Sequence, residues 1–168
     1  MFAISVERKK VISSFVLPAY SEIPAVGLYL DQSAKYINEC LADIGCSLTN
    51  SMISNYVKKK LIANPVKKQY GRDQIADLIF IAICKNILSL EDIGKLFVIR
   101  DQHADVRKSY ELFKQYFEEY LPKIYDNKDI ALKDSSELNY LLKSLTTMAI
   151  RNIYLNELLS DPKTIEIA

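Results

Sequence analysis

The chain has no tryptophan, a single histidine, four glycines and three cysteines. Glycine this scarce leaves no Gly-rich phosphate loop and too few turn residues for an all-β fold. Cys40, Cys46 and Cys84 are odd in number and form no Cys-x-x-Cys pair. Neither a disulfide framework nor a zinc site is expected, and the three read as small apolar residues. His103 stands alone in a segment of mixed charge and reads as a surface helix residue rather than a metal ligand or a catalytic base. The longest apolar run, Ile75 to Ile87, is broken by Asp77 and Lys85 and is too short to span a membrane. The opening MFAISVERKK lacks an apolar core followed by a small-residue cleavage site, so a cytoplasmic protein is expected. The adjacent carboxylates Glu91–Asp92 and Glu118–Glu119 are neighbours on helical faces and point apart. With no nucleophile beside a base and no ligand cluster, the expectation is a protein that is not an enzyme and takes no cofactor and no metal.

What the chain does have is apolar material, 49% of its residues, which suffices for a packed core. It also has an uneven charge. Residues 1–100 hold 13 basic and 9 acidic groups, whereas residues 101–168 hold 9 and 12. From Ile44 to Arg72 there is no acidic side chain, but there are six basic ones: Lys58, Lys59, Lys60, Lys67, Lys68 and Arg72. The first half could face a polyanion and the second should not.

The spacing of apolar residues divides the chain into three parts. Residues 1–30 contain Pro18, Pro24 and Gly27 among apolar side chains and show no helical period. An extended or irregular arm is expected, covering either the core or a second subunit. Residues 31–100 read as helices. Asp31 or Ser33 can cap the first, Tyr36, Ile37, Cys40, Leu41 and Ile44 mark its inner face, and Gly45 stops it. After a short linker, Thr49 caps a second helix whose inner face is Met52, Ile53, Tyr56 and Val57. Its outward residues are Asn50, Ser51, Ser54, Asn55, Lys58 and Lys59. Asn64–Pro65 makes a turn, 66–70 a short strand or wing, and a helix buried on several faces starts at Arg72. Ser89 begins a short helix through Leu90, Ile93, Leu96 and Phe97. In residues 101–168 two longer helices are expected. One runs from about Asp101 to Leu121 with Pro122 disturbing its end. The other is capped by Ser135 or Ser136, and carries Leu138, Leu141, Leu142, Leu145, Met148, Ala149, Asn152, Ile153 and Leu155 on its buried side until about Ser160, before Asp161–Pro162. The aromatic stripe Tyr110, Phe113, Tyr116, Phe117 and Tyr120 reads as core, with a dimer surface or a ligand pocket as alternatives. The fold class is thus mainly α.

Two close helices and a basic exit suit DNA. Cations neutralise phosphates and release counterions, while Asn and Ser on an exposed helix can reach base edges. Asn55 is the best candidate for a bidentate contact to adenine, with Thr49, Asn50, Ser51 and Ser54 beside it. Lys58, Lys59 and Lys60 suit the backbone at the helix end, and Lys67 and Lys68 suit flanking phosphates. The alternative reading is a solvated basic face on a protein-interaction module that binds no DNA.

The residues MISNYVKKKLI, then KKQY, a long helix and LSLEDIGKLF resemble the MerR-type winged helix-turn-helix. Tyr56, Leu61, Ile62, Lys68, Tyr70, Leu90 and Ile93 fall on that family's pattern. More closely, LYLDQSAKYINECL, LTNSMISNYVKKKLI and VKKQY resemble a bacterial family of unknown function built on this MerR-like unit, over about residues 25–100. The resemblance implies a winged helix-turn-helix with a short wing plus a C-terminal helical region, and a DNA-binding transcriptional regulator. Its site would include Tyr70, with Arg72 beside it, and its partner would be double-stranded DNA. A homodimer is expected because one small unit contacts few bases and pairing over two half-sites doubles them, with a protein or small-molecule effector left open. Where the MerR-type recognition helix carries an Arg-Tyr pair, this chain has Ser54 and Asn55, and no cysteine pair supports metal sensing.

Overall fold

The computed structural model describes residues 4–133 and 136–160. Among them, regular structure is seven α-helices: α1 (Val6–Ser13), α2 (Leu30–Cys40), α3 (Asn50–Lys58), α4 (Arg72–Cys84), α5 (Leu90–His103), α6 (Val106–Tyr125) and α7 (Glu137–Ser160). Two isolated antiparallel bridges are the β pairing among the described residues. The mainly α expectation holds. No helix of the described residues is long and apolar enough to cross a membrane.

The centre is α4. Ile75, Ala76 and Leu78 through Cys84 are all buried, so the helix has almost no solvent side, as its wide apolar stripe required. Around it one hydrophobic cluster runs from Ile12 to Ile153 and includes the whole aromatic stripe of α6. Phe80 meets Phe113 edge-on with centroids 4.9 Å apart, and Phe113 packs on Phe117 at 5.8 Å. α6 lies along α7 and touches α4 and α1. Tyr110 and Tyr116 are core residues here, not an exposed interaction stripe.

The arm departs from expectation in one piece. Val6–Ser13 is helical although it lacks an apolar period, with only Ile12 buried. Contacts distant in sequence hold it. Arg8 Nε donates to Glu157 of α7 at 2.6 Å and its Nη2 to the carbonyl of Asp43 at 2.9 Å, while Lys9 pairs with Asp126 at 2.9 Å. The rest of the arm is extended up to a single 3-10 turn, Tyr20–Glu22. It lays Phe15, Leu17 and Ile23 in the core of its own chain, with Phe15 edge-on to Phe117.

Several boundaries also moved. α2 starts after Tyr29, whose N–H is accepted by Gln32 Oε1 at 3.0 Å, so neither Asp31 nor Ser33 caps it; Ser33 is buried and donates to the Leu28 carbonyl. α5 is longer than expected and ends at His103. Asp105 then caps α6 by accepting the Lys108 N–H at 2.7 Å. α6 runs through Pro122 to Tyr125 because Leu121, Ile124 and Tyr125 are buried beyond the proline. That burial offsets a helix penalty of about 3 kcal/mol. On α7, Met148 and Leu155 are about half exposed, so its buried side is narrower than its leucines suggested. Ser135 and Asp161–Pro162 lie outside the described residues.

One charge pair is internal. Arg100 of α5 donates through both terminal nitrogens to Asp77 of α4, at 2.5 and 3.3 Å, and stacks over Phe97 at 4.3 Å. Burial pushes the Asp77 carboxyl up to about 6, against the pull of Arg100.

Candidate nucleic-acid interface

Thr49 caps α3 as its position before an apolar-periodic stretch requires, its Oγ1 accepting the Met52 N–H at 3.1 Å. Ile53 and Tyr56, three apart, bury the inner face, and Val57 is half-buried. Met52, expected on that inner face, is 36% exposed. Ser51, Ser54 and Lys58 share the opposite, solvent face, with Asn55 half-buried at its edge. The linker from α2 spans residues 41–49, longer than expected, because a 3-10 turn at Ala42–Ile44 intervenes before Gly45 reverses the chain at φ 69°. Asn38 of α2 clamps this linker: its Nδ2 donates to the Leu48 carbonyl at 2.9 Å and its Oδ1 accepts the Leu48 N–H at 2.8 Å.

α3 ends in a Schellman motif. The Leu61 N–H reaches the Tyr56 carbonyl and the Lys60 N–H the Val57 carbonyl, both at 2.9 Å. The motif requires left-handed backbone at Lys60, where φ is 59°. Glycine ordinarily fills this position, and an L-residue there costs roughly 1–2 kcal/mol. A few residues on, Val66 and Gln69 exchange both backbone hydrogen bonds, at 3.0 and 2.9 Å, closing a two-residue hairpin turn. Its central residues are Lys67 and Lys68, at φ 50° and 64°, the primed turn that normally selects Asn-Gly. The stem is pinned to the arm by reciprocal bonds between Leu28 and Tyr70, at 2.9 and 2.7 Å. Gly27 permits this approach, since a Cβ there would lie 2.7 Å from that of Gln69.

The twelve sequence-derived candidates therefore separate. Ser51, Ser54, Lys58, Lys59, Lys60, Lys67 and Lys68 are exposed, and Asn55 is partly so. Among the described residues no ion pair engages any of these five lysines. Glu91, which lines the same cleft as Lys59 and Lys60, is paired with Lys95 at 2.9 Å. The other four are engaged elsewhere. Asn50 donates its amide to Asp31 at 2.6 Å, and the Thr49 oxygen is the helix cap. Tyr70 is 5% exposed and belongs to the core, which removes it from any surface. Arg72 is turned inward onto the arm: its Nε donates to the Ile23 carbonyl at 2.8 Å, its Nη2 to that of Ser21 at 3.3 Å, and it lies over the Tyr20 ring.

Sequence reasoning missed the residues that hold this surface in place. Gln74 donates to the carbonyls of Ala63 and Asn64, at 2.8 and 3.3 Å, and accepts the Gly71 N–H at 2.7 Å, fixing the loop before the hairpin to the start of α4. A Gln three residues after a helix-initiating glycine is the signal that could have found it. Asn38 had a weaker signal, an amide on an otherwise amphipathic helix.

Residues 18–120, more than half of the chain, match the family model of a domain of unknown function, DUF1836. The chain belongs to that family. The matched region runs from the extended part of the arm through α3, the hairpin and α4 into α6, so the DUF1836 unit contains the whole basic surface and the arm segment that pins the hairpin, and stops short of α7. The expectation of an uncharacterised family is met at this level. No curated protein and no solved structure matches the chain.

Proposed function

We propose that this protein is a DNA-binding transcriptional regulator of the cytoplasm, in which α2 and α3 act as a MerR-like helix-turn-helix and the Val66–Gln69 hairpin acts as its short wing. The observation that carries this reading is the group of five exposed lysines at the end of α3 and on the hairpin, none of them ion-paired among the described residues. A protein of net charge +1 has enough carboxylates to pair its lysines, and on α2 and α6 Lys35, Lys114 and Lys123 are so paired. Unpaired cations on one acid-free stretch of the chain suit the phosphates of a duplex, and neutralising them would release counterions. Asn55, with Ser51 and Ser54, is the group left to read base edges.

A second copy would double the few base contacts that one unit makes, so we place the active form as a homodimer on two half-sites. The exposed apolar side chains of α7, including Met148, Leu155 and Leu159, support pairing there rather than through the buried stripe of α6.

Selection of bound sequences from a random duplex pool tests both parts. The expected result is enrichment of an inverted repeat, lost on removing the charges of Lys58, Lys59, Lys67 and Lys68. No enrichment and no salt-sensitive binding to any duplex would favour the other reading, a protein-interaction module on the same scaffold.

A further inference from the structure

Four non-glycine residues in the described chain have left-handed backbone, namely Lys60, Lys67, Lys68 and Asn127. Asparagine tolerates that conformation through its short polar side chain, and lysine has no such compensation. Three of the four are lysines, all within the acid-free stretch and all exposed. Each stands at a point of chain reversal that glycine would satisfy without strain: the C′ position of a Schellman motif and the two centres of a primed hairpin turn. Relative to glycine, what lysine adds at these places is an ammonium on a long stem. Lys58 and Lys59 carry the same charge on ordinary right-handed backbone, where lysine is unstrained.

The neutral side of the surface is thin. Asn50 is held by Asp31, the Thr49 oxygen caps α3, and Asn55 is half-buried. Cations outnumber free base-reading groups, and the strained ones sit at the exit of α3 and at the hairpin tip.

We infer that Lys60, Lys67 and Lys68 are the principal phosphate-binding residues of this surface, and that the ligand they hold is the phosphodiester backbone of duplex DNA. This rests on the DNA-binding reading above and goes further by dividing the lysines. The three strained ones set affinity and register at the cost of backbone strain, and the stability of the fold would rise without them.

The test is binding of the full chain to a 20-base-pair duplex of arbitrary sequence, by fluorescence anisotropy from 50 to 200 mM NaCl, together with thermal melts. With five phosphates neutralised, the slope of log affinity on log salt is roughly −4.5, a loss of about 500-fold over that range. The triple variant Lys60→Gly, Lys67→Gly, Lys68→Gly should flatten it to roughly −1.8, a loss of about 12-fold. The same variant should melt higher, by about 2–4 °C for each residue relieved of strain. Lys58→Ala with Lys59→Ala should weaken binding less and leave the melting temperature unchanged. The inference is overturned if the triple variant keeps the native slope while the Lys58 and Lys59 double variant loses it, or if the triple variant melts lower. A native chain that shows no salt-dependent duplex binding overturns the DNA reading itself, a result distinct from either.

Discussion

Lysine does opposite things at the two ends of this molecule. On α6, Lys114 is held by Glu118 at 2.6 and 2.7 Å and Lys123 by Glu119 at 3.1 Å, each one helical turn away. Around α3 and the hairpin, five lysines sit on a stretch with no carboxylate in its sequence, and three of them occupy backbone that lysine disfavours. A basic residue with an acid one helical turn away is a charge completed within the fold. A basic residue with no partner and a strained backbone is a charge the fold leaves for something else. Arginine divides the same way: Arg100 is neutralised inside and Arg72 is spent on backbone carbonyls of the arm, so neither is free for a ligand.

The largest effect that would sharpen this contrast is at the internal pair. Asp77→Ala leaves the Arg100 guanidinium buried with only Asp101 beside it, at 2.9 Å and exposed. Urea unfolding should show a loss of about 3–5 kcal/mol. A loss below about 1 kcal/mol would mean that Arg100 swings out to solvent, and the contrast between completed and open charges would fail.

Next is pH. Burial raises the Asp77 carboxyl from 3.8 to about 6, so the folded chain holds that proton more tightly than the unfolded one. The corresponding stability is fully present below pH 3.8 and is lost as pH rises through 6, an effect of about 3 kcal/mol. Unfolding free energies measured at constant ionic strength between pH 4 and 7 should show this decline, and Asp77→Asn should remove it. A native profile that rises over that window would show Arg100 outweighing burial.

The smallest effect is at the open lysines. Lys58→Ala with Lys59→Ala should change unfolding free energy by no more than about 0.5 kcal/mol. A larger loss in urea melts would make these lysines structural and remove the difference between the two regions.

Much of the scaffold was legible because it follows from local rules. Thr49, with an apolar period behind it, reads as a cap, and Ile53 and Tyr56 read as an inner face, since both follow from helical spacing alone. The aromatic stripe of α6 read as core for the same reason. The failures came from contacts between segments far apart in sequence. Val6–Ser13 has no amphipathic pattern, and its helix is held by Arg8 and Lys9 pairing with α7 and the end of α6. Tyr70 and Arg72 looked available because they adjoin lysines, but the arm packs onto both. Pro122 looked like a stop, and burial of Leu121, Ile124 and Tyr125 overrode it.

By itself the sequence determined the helical class, the central burial of α4 and the acid-free charge of residues 44–72, because periodicity and composition are properties of single segments. The tertiary structure decided which of those charges stay open. It turned Arg72 inward, engaged Asn50 with Asp31, and closed Val66 on Gln69 so that Lys67 and Lys68 adopt left-handed backbone. The physical reason is that a side chain's freedom and a residue's φ in a closed turn are set by what packs around them, and those neighbours come from other parts of the chain.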